Sequence, residues 1–184
     1  MFYDKNRLRR CMEKLAKICD ERDCIGYDRT LSHHLMLIMN DVCEAADANA
    51  RAEYALMQQF TDSTANFDKR YVDFVMNTVE ERLAIIIIRC MHTANAMQVQ
   101  IVDGYELADN LLIAFPDQHK SFVENAWQLS KCINGGPIIK RSMFMKLLNI
   151  IRFVELWSSM LHFDIWQYVE LRLQYDERNE SNVY

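Results

Sequence analysis

Apolar positions recur at helical spacing along most of this chain, and in one stretch they become continuous. Val79-Glu80-Glu81-Arg82-Leu83-Ala84 runs into four successive isoleucines, Ile85 to Ile88, followed by Arg89-Cys90-Met91-His92. Isoleucines at four consecutive positions face every direction of a helix, and a helix apolar all round belongs in the middle of a domain. A buried strand has the same short signature, because a β-branched run has no diagnostic period. Length decides for the helix, since no Gly or Pro interrupts the segment from Tyr71 to Met97. Thr78 with Glu81 three residues on fits the capping-box spacing and predicts a helix start there.

The flanking segments are amphipathic. From Asn6 to Asp23, Leu8, Cys11, Met12, Leu15, Ala16 and Cys19 follow the i, i+3, i+4, i+7 rule and predict a helix packed on one face. A turn over residues 23–28 leads to a second helix from His33 towards Tyr54, with Ser32 as its candidate cap. Residues 57–74 are polar around Thr61-Asp62-Ser63-Thr64 and read as a loop or short break. The central helix is expected to end near Gln98 to Gly104. An apolar patch of Leu107, Leu111, Leu112, Ile113 and Phe115 follows, stopped by Pro116. Ser121 to Ile133 predicts a further helix presenting Phe122, Ala126, Leu129 and Ile133, closed by Asn134-Gly135-Gly136-Pro137. Ile138 to Gln174 reads as two helices separated by a dip from Ser158 to Asp164, and the polar tail from Asp176 to Tyr184 is expected to fray.

Composition narrows the class. The 184 residues are 51% apolar, enough for one sizeable core, and only 4 Gly and 2 Pro leave little turn chemistry for a many-stranded fold. An all-α antiparallel bundle forming a single domain over 1–184 is the expectation. A net charge of −5 argues against a general nucleic-acid or acidic-membrane surface. No apolar run approaches the roughly 18 residues of a membrane span. The N-terminus also lacks a signal-peptide core, so a cytoplasmic protein is expected. The six cysteines form no CxxC pair and no zinc pattern, and read as small buried hydrophobes.

Candidate chemistry begins with Asp41 and Glu44, three apart and therefore on one helix face. Two carboxylates so placed can share a hard cation such as Mg²⁺; the alternative is a solvated acidic face.

Three segments then carry a resemblance. Leu35 to Ala45 is similar to an apolar helix bearing E-x-x-E-A. Asn77 to His92 resembles D-T-V-E-D-E-L-A-D-x-x-I-R-x-x-D. Leu161 to Arg178 is similar to L-G-I-D-L-x-x-H-x-E-x-K-x-x-Y-N-x-x-R. In this order they resemble the MazG-like nucleoside triphosphate pyrophosphohydrolases, an all-α family that cleaves a nucleotide between its α and β phosphates. The resemblance implies a bundle core over 35–101 carrying the metal-site helices, with helices of 121–178 packed on it. It implies Mg²⁺ held by four acids on two packed helices, a nucleoside triphosphate substrate, and assembly into dimers or dimers of dimers.

Carried over by position, Asp41 and Glu44 fill the first pair of metal ligands. The second pair falls on Arg82 and Ile85, neither of which can ligate a cation, and the later aspartate falls on His92. A one-residue shift puts Glu81 in the glutamate's place but Ala84 where the aspartate belongs. Glu81 and His92 are thus the candidate catalytic residues. A guanidinium about 4 Å from the metal position would cost several kcal/mol at an effective dielectric near 20. Arg82 therefore has two readings: a counter-charge between Asp41 and Glu44 that replaces the metal, or a solvated residue at the helix start. Arg172, Tyr175, Asp176 and Arg178 match the C-terminal motif whose counterparts contact phosphate or nucleotide, with Asp176 in place of asparagine. The implied reaction is hydrolysis of a nucleoside triphosphate to monophosphate and pyrophosphate, impaired or lost with the two ligand positions. The alternative is a non-catalytic nucleotide-binding or protein-interaction scaffold on the same fold.

Overall fold

The computed structural model describes residues 5–21, 30–102, 115–135 and 140–179. Among them are eight helices and no strand: α1 (Lys5–Glu21), α2 (Leu31–Ala50), α3 (Met57–Asp62), α4 (Phe67–Phe74), α5 (Val79–Ala96), α6 (Phe122–Asn134), α7 (Lys140–Met160) and α8 (Ile165–Arg178). The isoleucine run lies inside α5, and Ile85 to Ile88 are all buried. Of the α5 residues only Arg82, Arg89, Asn95 and Ala96 escape full burial. The helix is surrounded by α1, α2, α7 and α8, as an apolar circumference requires. One continuous hydrophobic core runs from Leu8 on α1 to Leu173 on α8.

Local signals set most helix starts. Thr78 caps α5, its hydroxyl accepting from the Glu81 amide at 3.4 Å. The reciprocal half of the expected box is absent, because the Glu81 carboxylate accepts from the Asn77 amide (2.6 Å) and from side chains beneath the helix. Ser121 and Glu124 form the complete box at the start of α6. Asp164 caps α8 through the Trp166 amide at 3.1 Å. Two short extended contacts dock the α2–α5 connection. The Ala55 amide donates to Glu80 Oε2 at 2.9 Å, and the Val79 amide donates to the Glu53 carbonyl at 2.9 Å.

Several expected boundaries differ. The cap of α2 is Thr30, not Ser32: the Thr30 hydroxyl accepts from the His33 amide at 3.3 Å and puts Ser32 in the first turn. Residues 57–74 form two short helices rather than a loop. Asn66 caps the second through the Lys69 amide, and Phe60, Phe67 and Tyr71 are buried, which outweighs the polar residues between them. The end of α5 at Ala96 precedes the expected 98–104. Gly135 closes α6 in an extended conformation (φ −80°) rather than a left-handed one. Its need for glycine is close approach, since a Cβ would sit 2.9 Å from the Lys131 carbonyl. Helix α8 continues to Arg178 with Asp176 buried, so the expected fraying from Asp176 does not occur there. Cys24, the patch from Leu107 to Ile113, Pro137 and residues 180–184 lie outside the described residues.

The pair α7 and α8 is also joined by buried polar groups. Arg152, fully buried, donates to Glu155 at 2.9 Å, and the Trp166 indole donates to the other Glu155 oxygen at 2.7 Å. No helix among the described residues is long and apolar enough to cross a membrane.

Removing buried volume from α5 tests its central place. Ile87→Ala should lower unfolding free energy by about 2–5 kcal/mol in a denaturant titration. Val72→Ala, at a position 47% exposed, should change it by less than about 0.5 kcal/mol.

Candidate functional site

Where α2 lies along α5, the acids of one helix meet the cations of the other. Asp41 and Glu44 share a face of α2 by their spacing of three, and Arg82, Ile85 and Arg89 share a face of α5 by spacings of three and four. Arg89 Nε donates to Asp41 Oδ2 in a short contact. Arg82 Nη1 pairs with Glu44 Oε2 at 2.5 Å. Between the two arginines along α5 stands Ile85, which is buried. Glu44 also accepts from Asn40 at 2.7 Å on its other oxygen. Arg82 further donates through Nη2 to the Asn77 side chain at 2.5 Å. Asn77 sits at φ 64°, a left-handed conformation that asparagine tolerates better than most residues.

These pairs sit at different depths. Asp41 has only 2% of its side chain exposed, against 38% for Glu44. Burial pushes the Asp41 carboxyl up to about 6, with the adjacent Glu44 adding to the rise and the Arg89 and Arg82 guanidiniums opposing it. The Cys90 thiol next along α5 is raised strongly by burial and by the charge of Asp41.

A second polar cluster lies at the start of α5. Glu81, 1% exposed, accepts from the Tyr71 hydroxyl at 2.7 Å, the Asn77 amide at 2.6 Å and Arg172 Nη1 at 2.7 Å. Arg172 Nε donates to the buried Asp176 at 3.0 Å. Tyr175 stacks on Tyr71 with ring centroids 4.5 Å apart. Burial alone would lower the Arg172 guanidinium, but Asp176, Tyr71 and Glu81 outweigh it and raise it. The Tyr71 hydroxyl is raised by burial first and by Glu81 second. Asn77 connects the clusters, holding Glu81 with its backbone and Arg82 with its side chain.

The residues singled out by motif therefore separate into distinct places. Arg82 lies on the face of α5 turned to the α2 acids, where it pairs with Glu44, while Asp41 belongs to Arg89. Arg172 joins Glu81 to Asp176, and Tyr175 lies on Tyr71. Arg178 stands apart near the surface, over the Phe67 ring at 4.9 Å and 4.0 Å from Asp68. His92 is buried beside His34 of α2, with ring centroids 5.5 Å apart. Arg89 matches the arginine of the quoted motif but was given no role by it, and its spacing of seven from Arg82 places it on the same face of α5. Tyr71 and Asn77 carried no comparable signal, because only folding brings the α4–α5 turn under α8.

The oxygens of these side chains face other partners. Mg²⁺ demands near-octahedral oxygen coordination. Here the two acids of α2 already face guanidiniums, Ile85 supplies only carbon, and Glu81 is engaged with Tyr71, Asn77 and Arg172. Among the described residues no group of three or more His, Cys, Asp or Glu is arranged to hold a metal ion.

Two measurements probe the clusters. The Asp41 pKa of about 6 lies above its ordinary 3.8, so the folded chain holds this proton more tightly than the unfolded one. Stability from this group is complete below the ordinary value and is lost as pH rises through about 6. Between these values the unfolding free energy of Asp41→Asn should therefore shift upwards relative to that of the parent chain as pH rises, in denaturant titrations at a series of pH values. Arg172→Met leaves two buried carboxylates without their shared cation and should destabilise the chain by about 3–5 kcal/mol. Were Arg172 instead a surface ligand for phosphate, its removal would leave the denaturation midpoint nearly unchanged.

No family model, curated protein or solved structure matches this chain.

Proposed function

We propose that this chain is a MazG-like helical bundle in which ion pairs stand where the family holds magnesium, and that it acts as a protein-interaction scaffold instead of a pyrophosphohydrolase. The observation that carries this reading is the pairing of both α2 acids with α5 arginines, Asp41 with Arg89 and Glu44 with Arg82. A divalent ion at this face would have to displace two guanidiniums and would still lack oxygen ligands from α5. Supporting it, Arg172 spends its guanidinium on Glu81 and Asp176, and Tyr175 its ring on Tyr71. A guanidinium committed to two buried carboxylates is a poor clamp for a triphosphate.

A role in interaction is further supported by large apolar side chains facing solvent on α6 and just before it. Trp127 is 63% exposed, Val123 60% and Phe115 55%. Exposed apolar groups of this size mark contact surfaces when they cluster.

The test is a pyrophosphate-release assay with a panel of nucleoside triphosphates and Mg²⁺, beside isothermal titration with Mg²⁺. The expected result is no release above the uncatalysed background and no saturable heat from the metal. Turnover that disappears in Asp41→Asn or Glu44→Gln would overturn the proposal and return the chain to the hydrolases.

A further inference from the structure

We infer that the outer face of α1, centred on Arg9 and Arg10, docks a short carboxylate-rich segment of another protein. The inference gives the interaction reading its partner chemistry and rests on that reading, but a different experiment overturns it.

Helix α1 is basic in an acidic chain. Through Lys17 it holds six Lys and Arg against one acid, Glu13, a net +5 where the whole chain totals −5, so the remaining residues carry −10. The order of charges along it does not serve the helix itself. Lys5 and Arg7 open it at the positive end of its dipole, and Asp20 and Glu21 close it at the negative end. Leu8, Cys11, Leu15 and Ile18 are buried, and cations at the edges of that face turn to acids of α8. Arg7 reaches Asp164 at 2.7 Å and Glu170 at 3.1 Å, and Lys14 reaches Glu177 at 2.8 Å.

The opposite stripe carries Asn6, Arg9, Arg10, Glu13 and Lys17, all exposed and spaced by three, four and seven. Arg9 and Arg10 enter no ion pair among the described residues, although Glu13 follows them at four and three positions. Two neighbouring guanidiniums present forked donors that match carboxylates in geometry as well as in charge. The charge of the rest of the chain selects the shape of the partner. A nucleic-acid duplex or an anionic bilayer extends beyond one helix and meets the surface that carries −10. A short segment lying along α1 meets its cations without that repulsion. Glu13, between Arg10 and Lys17, also interrupts the cations, which suits separate side-chain carboxylates better than a continuous row of phosphates.

Fluorescence anisotropy of a labelled oligoglutamate peptide tests it, near neutral pH and at about 0.1 M salt, where charges are screened beyond about 10 Å. Binding to the parent chain should saturate and should weaken as salt is raised. Arg9→Glu combined with Arg10→Glu should weaken it at least about tenfold. Arg51→Glu combined with Lys69→Glu makes the same change in net charge at exposed positions on other elements, and should weaken it less than about threefold. Far-ultraviolet circular dichroism should be unchanged for both pairs, whose side chains face solvent. A single-stranded oligonucleotide and phosphatidylserine vesicles are titrated in parallel. No saturable peptide binding, a loss no greater for the α1 pair than for the control pair, or tighter binding of oligonucleotide or vesicle through Arg9 and Arg10 would each overturn the inference. Pyrophosphate release that depends on Asp41 and Glu44 overturns the scaffold reading instead, and is read in a separate assay.

Discussion

Burying a helix on all sides forces every polar group it carries to find a partner inside the protein. Helix α5 is the case here: its isoleucines attract neighbours all round, and those neighbours remove water from Glu80, Glu81 and most of the reach of Arg89. Each of these groups is accordingly matched. Glu80 takes the Ala55 amide, Glu81 takes Tyr71, Asn77 and Arg172, and Arg89 takes Asp41. An unmatched charge at such depth costs several kcal/mol, more than any single hydrophobic contact returns. The polar pattern of the bundle therefore follows from the desolvation of one helix.

The same constraint shapes the α2–α5 contact, where guanidiniums on α5 face both acids of α2. Such pairs are weak evidence of added stability, since a well-packed apolar pair often does as well. Their stronger consequence is register. Arg82 and Arg89 are seven residues apart on α5 and meet acids three apart on α2. Sliding one helix along the other by a turn would strand charges in the core.

The C-terminal helix is held by a second set of contacts. The packing of α8 on α5 and α4 turns Arg172 towards Glu81 and Tyr175 towards Tyr71. Arg172 spans two carboxylates, and Tyr175 gives its face to Tyr71. The same residues that extend the helix to Arg178 thereby hold its end against the bundle.

Much of the secondary structure was legible along the chain. Helical periodicity in α1, the isoleucine run in α5, the helix starts at Thr78 and Ser121, and the dip before Asp164 are local features, governed by neighbours within a turn. Helices α3 and α4 were hidden, because polar residues between Phe60 and Tyr71 mask apolar anchors that matter only once buried. The acids Asp41 and Glu44, and the inability of Arg82 and Ile85 to hold a metal, follow from side-chain chemistry and needed no coordinates. Which guanidinium meets which acid, and that Arg172 closes on Glu81 as well as on Asp176, depended on how α2 and α8 are set against α5. These contacts join residues 48 and 91 positions apart in the chain. Sequence determined which groups could pair; packing decided the pairs, because desolvation acts on charges only after the helices have excluded water.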